Sequence, residues 1–292
     1  MEGHMSKHAV VYCVTGKHIQ LTAVSVTSVI NNYKGAHLDI LIIVQDVTEK
    51  DMVTIKQIPI ALQKENVIIH FWNPPEEIKE IKNYQNNRFP EVTLWRLFVP
   101  AYFSSYKKIL YLDNDTIVYE DVEKLFPLVP KEKAIAAIRD FYVSAISDDQ
   151  DYGKQFGVAT MKNYVNSGVI LFNVETYNNL ITTNKILEMI NENKYQYLDQ
   201  TILNILCEES MTFLPYEYNY QKDDHWLFDW AHHKNERVAN LIIAARENVK
   251  IRHFVEFEKH SMPWEHVTVQ DQWEKDFWKY LYVIKEISMN LQ

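Results

Sequence analysis

Ile109-Leu110-Tyr111-Leu112-Asp113-Asn114-Asp115 runs from four apolar residues straight into two carboxylates one residue apart. A short apolar run of this kind is the pattern of a strand buried in a parallel sheet. Side chains i and i+2 of an extended chain point the same way, so both carboxylates can face one point just past the strand end. In open α/β sheets that is where ligands bind. Two oxygen ligands that leave room for waters and phosphate suit Mg²⁺ or Mn²⁺ holding a diphosphate. Asp and Asn are also common turn formers, and Asp-x-Asp alone is a weak signal. The neighbouring sequence has to decide between the two.

Upstream, residues 8–14 (His-Ala-Val-Val-Tyr-Cys-Val) form a strand signal. Ile19, Ala23, Val26 and Ile30 then recur at helical spacing, with Gly35 as a stop. Residues 38–45 and 66–72 are further strand signals separated by a polar helix. This β-α-β-α-β opening predicts a Rossmann-like, mostly parallel sheet flanked by helices. The first turn, Thr15-Gly16-Lys17-His18, lacks Gly-x-Gly-x-x-Gly, which disfavours dinucleotide binding.

Downstream, residues 91–103 read as a short helix before the carboxylate strand, and 134–138 as a strand ending at Arg139-Asp140. Residues 141–163 carry no periodic signal and are expected to be a long irregular segment, often a functional lid. Asn166-Ser167-Gly168 leads into the strand Val-Ile-Leu-Phe-Asn173. Asp199-Gln200 is expected to cap a helix carrying Ile202, Leu203 and Leu206. His253 falls on a strand over 249–254, and Trp273, Phe277, Tyr280 and Ile284 mark an amphipathic C-terminal helix.

The bulk numbers bound the function classes. At 292 residues, 47% hydrophobic and 24% charged, the chain reads as one large globular domain or a domain with an appendage. Aromatic residues are 13% of the chain, with 7 Trp and 18 Tyr; aromatic faces often serve as sugar platforms, though most of these rings are expected to be core. The net charge of −9 argues against nucleic acid or anionic lipid as the main partner. Only Cys13 and Cys207 are present, so no disulfide framework or metal knuckle is expected. With no signal peptide and no run of about 18 apolar residues, a soluble, cytoplasmic protein is expected, with at most peripheral membrane contact. Residues 1–5 read as a cloning scar, 6–265 as the main domain, and 266–292 as a helix that packs on it or docks a partner.

Several blocks follow one another in order. They are Thr93-Leu-Trp-Arg96-Leu, Tyr111-Leu-Asp113-Asn-Asp115, Asn166-Ser-Gly-Val-Ile-Leu-Phe-Asn173 and Leu198-Asp199-Gln200-Thr-Ile-Leu-Asn204. His253, Lys259 five residues beyond, and Pro263-Trp264 complete the series. Over roughly residues 9–264 the chain resembles glycosyltransferase family 8. That family comprises retaining enzymes and includes bacterial lipopolysaccharide galactosyltransferases and glycogenin.

The resemblance implies a GT-A fold, a UDP-glucose or UDP-galactose donor, and Mn²⁺, with Mg²⁺ as an alternative. By carry-over, Asp113, Asp115 and His253 are the metal ligands. Mn²⁺ accepts a His nitrogen beside carboxylates, whereas Mg²⁺ prefers all-oxygen shells. Lys259 matches the lysine that meets the donor phosphates, and Arg96 the arginine at the donor sugar. Asp140, Asn166 and Asp199 match sugar-contacting positions, and Gln200 the side chain beneath the anomeric carbon. The donor-binding set is thus Val14, Thr15, His18, Arg96, Asp113, Asn114, Asn166, Ser167, Asp199 and Lys259, and the catalytic set Gln200, Asp199 and Asp140.

Two departures from the family pattern stand out. The first turn usually carries acidic residues and a tyrosine for uracil and ribose, and here those places hold Thr15, Gly16, Lys17 and His18. The family lysine precedes Pro-Trp directly, whereas His260-Ser261-Met262 intervene after Lys259. The implied activity is transfer of a hexose to a glycan, glycolipid or glycoprotein acceptor, with acceptor contacts in 141–163 and 216–235. Two rivals stand beside it. One is an inactive GT-A-shaped binding or chaperone subunit of another transferase. The other is a metal-dependent phosphohydrolase, which would need a second His/Asp cluster.

Overall fold

The computed structural model describes residues 7–82, 84, 90–146, 150–192, 195–255 and 262–291, without the side chains of 17 and 150–152. The reading of residues 1–5 falls outside these. Nine strands are described: β1 (His8–Thr15), β2 (Leu38–Gln45), β3 (Val67–Trp72), β4 (Lys108–Leu112), β5 (Thr116–Val118), β6 (Ile135–Arg139), β7 (Val165–Asn173), β8 (Met211–Phe213) and β9 (Ile251–His253). Seven form one sheet in the order β3-β2-β1-β4-β7-β6-β8, and β5 pairs β9 in a separate ribbon.

The apolar runs are continuous because both faces of the sheet are covered. Val10, Tyr12 and Val14 of β1 join one core, with helix α1 (Ile19–Asn32) and the C-terminal helix Gln272–Asn290. Ala9, Val11 and Cys13 join the opposite core, with residues 91–99 and the helix Leu198–Cys207. The same alternation divides Ile40 and Ile42 from Leu41 and Ile43. A strand with cover on both sides cannot show a polar face. From the C-terminal helix, Phe277, Tyr280, Leu281, Ile284 and Ile287 enter the first core.

Pairings β1–β2, β1–β4, β2–β3 and β6–β8 are parallel, while β7 is antiparallel to both β4 and β6. This reversal assembles the site. Because β7 runs against β4 and β6, its beginning lies beside their ends. Asp113 N donates to Gly168 O at 2.8 Å, and Asp140 N to Tyr164 O at 3.0 Å. The ribbon supplies the third component, pairing Thr116 with His253, while Phe254 N donates to Asp115 O at 2.9 Å.

Three local expectations are corrected. Residues 141–163 are not irregular: they contain the helices Phe141–Ile146 and Gln150–Phe156 and a 3₁₀ turn at Met161–Asn163. Helices this short span too few turns to show a period, and packing of Phe141, Val143 and Ala145 holds the first in place. The short helix expected over 91–103 is present, as a 3₁₀ helix over Glu91–Phe98 followed by an α-turn at Val99–Tyr102. Asp199 does not cap its helix, since Tyr197 holds the cap position and Asp199 lies in the first turn facing Arg96. The strand expected over 249–254 is confined to Ile251–His253.

Candidate active site at the strand ends

The Asp-x-Asp turn is built before it binds anything. Asn114 Nδ2 donates to Cys13 O at 3.1 Å, and Thr22 Oγ1 of α1 donates to Asn114 Oδ1 at 2.8 Å. Thr116 Oγ1 closes the turn on Asp113 O at 2.9 Å and meets Ser25 Oγ at 2.7 Å. With Asn114 engaged in this scaffold, Asp113 and Asp115 are left facing out. His253 Nε2 lies 3.2 Å from Asp115 Oδ1 and 3.7 Å from Asp113 Oδ2. Ligand atoms of the three side chains all fall within 4.8 Å of one another, the one such group among the described residues. Burial works to push the Asp115 carboxyl up, but the field and hydrogen bond of His253 outweigh it and hold it below the usual range.

The donor set fits a divalent cation. Two carboxylates and one imidazole nitrogen suit Mn²⁺, and Mg²⁺ less well. The backbone makes room at Gly168, where an added Cβ would lie 2.2 Å from His253 Cε1 and 2.7 Å from Asp113 Oδ2. Gly168→Ala is therefore expected to displace the imidazole and weaken Mn²⁺ binding about 10–100-fold, the size of effect seen when groups orienting metal ligands are lost. Titration of free Mn²⁺ by electron paramagnetic resonance measures it. Wild-type affinity in the variant would remove His253 from the ligand set.

Behind the carboxylates sits a buried cation. Arg96 holds Asp113 through Nη2–Oδ1 at 2.9 Å and Nη1–Oδ2 at 3.2 Å. Its Nε lies 3.3 Å from Asp199 Oδ2, and Nη1 donates to Ser167 O at 2.7 Å. Burial opposes the charge, yet Asp113 and Asp199 hold the Arg96 pKa above its ordinary value. Arg96 is 5% exposed and bridges the two carboxylates. Tyr111 OH also donates to Asp113 Oδ1 at 2.9 Å.

A second polar group lies alongside, where Asp140, Asn166, Ser167, Asp199 and Gln200 meet. Asn166 Nδ2 donates to Asp140 Oδ2 at 3.1 Å, and Gln200 Nε2 donates to the same oxygen at 3.2 Å. Val143 N binds Asp140 Oδ1 at 2.9 Å. Gln200 Oε1 accepts from Ser167 N and Asn166 Nδ2, both at 3.2 Å. Ser167 Oγ donates to Asp199 Oδ2 at 2.9 Å, and burial raises the Asp199 pKa against the opposing pull of Arg96. The preceding Leu198 adopts φ 40, a left-handed conformation uncommon for leucine and the kind of strain that collects at functional sites.

Of the remaining expected donor contacts, Val14 has its side chain wholly inside the core, leaving only its backbone for a ligand. Thr15 is half-buried and His18 exposed at the end of β1. His18 is close enough to Asp115 to lower its pKa. Lys259, His260 and Ser261 lie outside the described residues. Residue-by-residue reading passed over Asn219, which joins the two polar groups: its Nδ2 donates to Asn166 Oδ1 at 3.0 Å, and its Oδ1 meets His253 Nδ1 at 3.0 Å. Nothing in the local sequence marks it. Tyr111 and Gly168 stood inside recognised blocks, but their roles depend on neighbours across the sheet.

Known proteins share this fold. The chain is similar to the lipopolysaccharide 1,2-glucosyltransferase of Escherichia coli K12, 26% identical over 219 residues, covering 72% of this chain and 61% of that protein. It spans 61% of the length of two such relatives and between 17% and 42% of the length of others. Among solved structures it resembles the galactosyltransferase LgtC in complex with donor and acceptor sugar analogues. That likeness has a TM-score of 0.72 at 18% identity and covers 94% of this chain and 95% of that one. The WbbM bifunctional glycosyltransferase superposes with a TM-score of 0.77 at 20% identity, over 99% of this chain and 53% of that one. These likenesses establish a GT-A fold. The model of glycosyl transferase family 8 matches residues 9–268, most of the chain and every described site residue above, and the chain belongs to that family.

Proposed function

We propose that this chain is a retaining, metal-dependent hexosyltransferase that takes glucose or galactose from a UDP-sugar and delivers it to a glycan or glycosylated acceptor. The observation that carries the reading is the meeting of Asp113, Asp115 and His253 beside the Asp140–Asn166–Gln200 group at one end of the sheet. A diphosphate held at the first places its sugar near the second. The name of the Escherichia coli relative favours a bacterial surface glycan as acceptor, and a UDP-sugar donor favours action in the cytoplasm. Among the described residues no helix is long and apolar enough to cross a membrane.

A bound Mn²⁺ or Mg²⁺ supplies charge neutralisation for the departing diphosphate. The chain's own residues do the rest. Asp140 and Asp199 set negative charge near the sugar, where an oxocarbenium-like ring gains from it. Both acceptor directions of Gln200 Oε1 are engaged, by Ser167 N and Asn166 Nδ2, and a neutral amide oxygen is a weak nucleophile even when free. Asp199 is 4% exposed and tied to Arg96 and Ser167, which disfavours a covalent intermediate there. The acceptor hydroxyl is therefore assigned to attack from the face the diphosphate leaves. Retention itself rests on the family.

The test is a panel of nucleotide sugars assayed for hydrolysis and transfer with and without Mn²⁺, alongside calorimetry of UDP. UDP-hexose turnover that depends on metal, and UDP binding at least about tenfold tighter with metal, are expected, a tenfold change being 1.4 kcal/mol. Preference for a purine nucleotide, or metal-independent binding, would reject the donor reading. Complete absence of turnover with tight UDP binding would favour the binding-subunit alternative. The phosphohydrolase alternative lacks a second ligand group among the described residues.

A further inference from the structure

The polar network keeps a proton on His253 Nδ1, and the residue that holds it there is Asn219. Amide side chains can usually be turned over without changing their contacts, but here two backbone N–H groups fix the directions. Gly168 N donates to Asn166 Oδ1 at 3.0 Å, so that atom is the oxygen. Ser167 N donates to Gln200 Oε1 at 3.2 Å, which fixes Gln200 in the same way. Asn166 Nδ2 is then the donor to Asp140 Oδ2 and Gln200 Oε1.

The polarity propagates from there. The atom of Asn219 that faces Asn166 Oδ1 at 3.0 Å must be its nitrogen, because an amide oxygen only accepts. The other end of Asn219 is therefore Oδ1, and it lies 3.0 Å from His253 Nδ1. That oxygen can only accept, so Nδ1 carries a proton. Nε2 is the nitrogen left to face Asp115 and Asp113. Asn219 is wholly buried and His253 is 4% exposed, so water does not compete for these contacts. The backbone on either side is pinned: Asn219 N donates to Tyr216 O at 3.2 Å, and His253 N donates to Tyr220 O at 3.0 Å.

We infer that Asn219 is a positioning residue for the metal site: it holds the proton of His253 on Nδ1 and so presents Nε2 as the ligand nitrogen. This rests on the transferase reading only in naming Mn²⁺ as the cation, since the tautomer can be read with no donor and no turnover. Metal-bound imidazoles commonly donate their second N–H to a fixed acceptor, whose loss costs about 10–100-fold in metal affinity.

The test compares wild type, Asn219→Leu and Asn219→Asp. Leucine keeps the approximate volume and neither donates nor accepts. Aspartate keeps the acceptor for Nδ1 and loses the donor to Asn166. Mn²⁺ binding is measured by electron paramagnetic resonance without nucleotide. The His253 nitrogen shifts are read from ¹⁵N-histidine-labelled, metal-free protein in mildly alkaline buffer. Wild type and Asn219→Asp are expected to show Nδ1 protonated. Asn219→Leu is expected to show mixed tautomers and Mn²⁺ affinity lower by about 10–100-fold, while Asn219→Asp retains affinity. A wild type with Nδ1 unprotonated overturns the inference. So does a leucine variant with wild-type affinity and shifts, or an aspartate variant as weak as that loss. Wild-type protein that binds no Mn²⁺ but shows the Nδ1 tautomer would defeat the metal reading of the transferase and leave the assignment of the proton standing.

Discussion

Replacing Asp115 by Asn is expected to abolish sugar transfer while leaving the protein folded. The substitution keeps the shape of a side chain whose main-chain oxygen is already fixed by Phe254 N, so the turn has no reason to move. What it removes is a charge that His253 keeps ionised against burial. An amide oxygen is a far weaker ligand for a hard divalent cation than a carboxylate. With the diphosphate no longer neutralised, the rate is expected to fall by about 10³ or more, roughly 4 kcal/mol of barrier. Initial rates at saturating UDP-sugar and Mn²⁺, read beside a thermal melt, measure this. A variant that turns over normally, or wild-type activity that survives EDTA, would sink the metal assignment.

Arg96→Met should cost the fold rather than only the chemistry. Arg96 sits between Asp113 and Asp199 with 6% of its side chain exposed, and its guanidinium also lies 4.8 Å from the centre of the Tyr111 ring. Methionine preserves much of the packing but leaves two carboxylates with no buried cation. Breaking a buried pair by removing one partner typically costs about 3–5 kcal/mol. The loss should depend on pH in one direction. Burial already raises the Asp199 pKa, and Arg96 is the group pulling it down, so the substitution raises it further. A carboxyl raised in the folded state costs stability as pH climbs through its unfolded value toward its folded one. The gap in urea midpoint between wild type and variant should therefore narrow on acidification. A gap that widens in acid would mean that Arg96 is not the compensating charge for Asp199.

How much of this was legible depends on whether the cause was local. The strands β1, β2 and β4 announced themselves because cover on both faces leaves nearly continuous apolar runs, as in Leu38-Asp-Ile-Leu-Ile-Ile-Val, where Asp39 is the one polar residue. Asp113 and Asp115 could be placed at a strand end by alternation alone, and the structure finds them there. His253 could not, since it meets them only through a ribbon of three residue pairs. Gly168 is visible as a glycine, but its reason, an imidazole and a carboxylate where a methyl would go, belongs to two other strands. Asn219 is the extreme case. It is 53 residues from Asn166 and 34 from His253 in sequence, in a segment with no regular pattern. The helices within 141–163 went unread because their amphipathic period has no length in which to repeat.

The ribbon of β5 and β9 has a further consequence, for how long a cation would stay. Asp113 follows β4 in the middle of the seven-stranded sheet, next to β7, whose nine residues are all buried. Amides there should exchange with solvent only when the whole domain opens. His253 instead ends a three-residue strand paired with β5 and bridged to Tyr220, so far less has to break for it to move. A ligand set divided between two such elements loses its grip through the weaker one. Residence time at the site would then follow the fraying of residues 251–253, and a chelator would strip the protein at the pace of that local opening, with the sheet still intact.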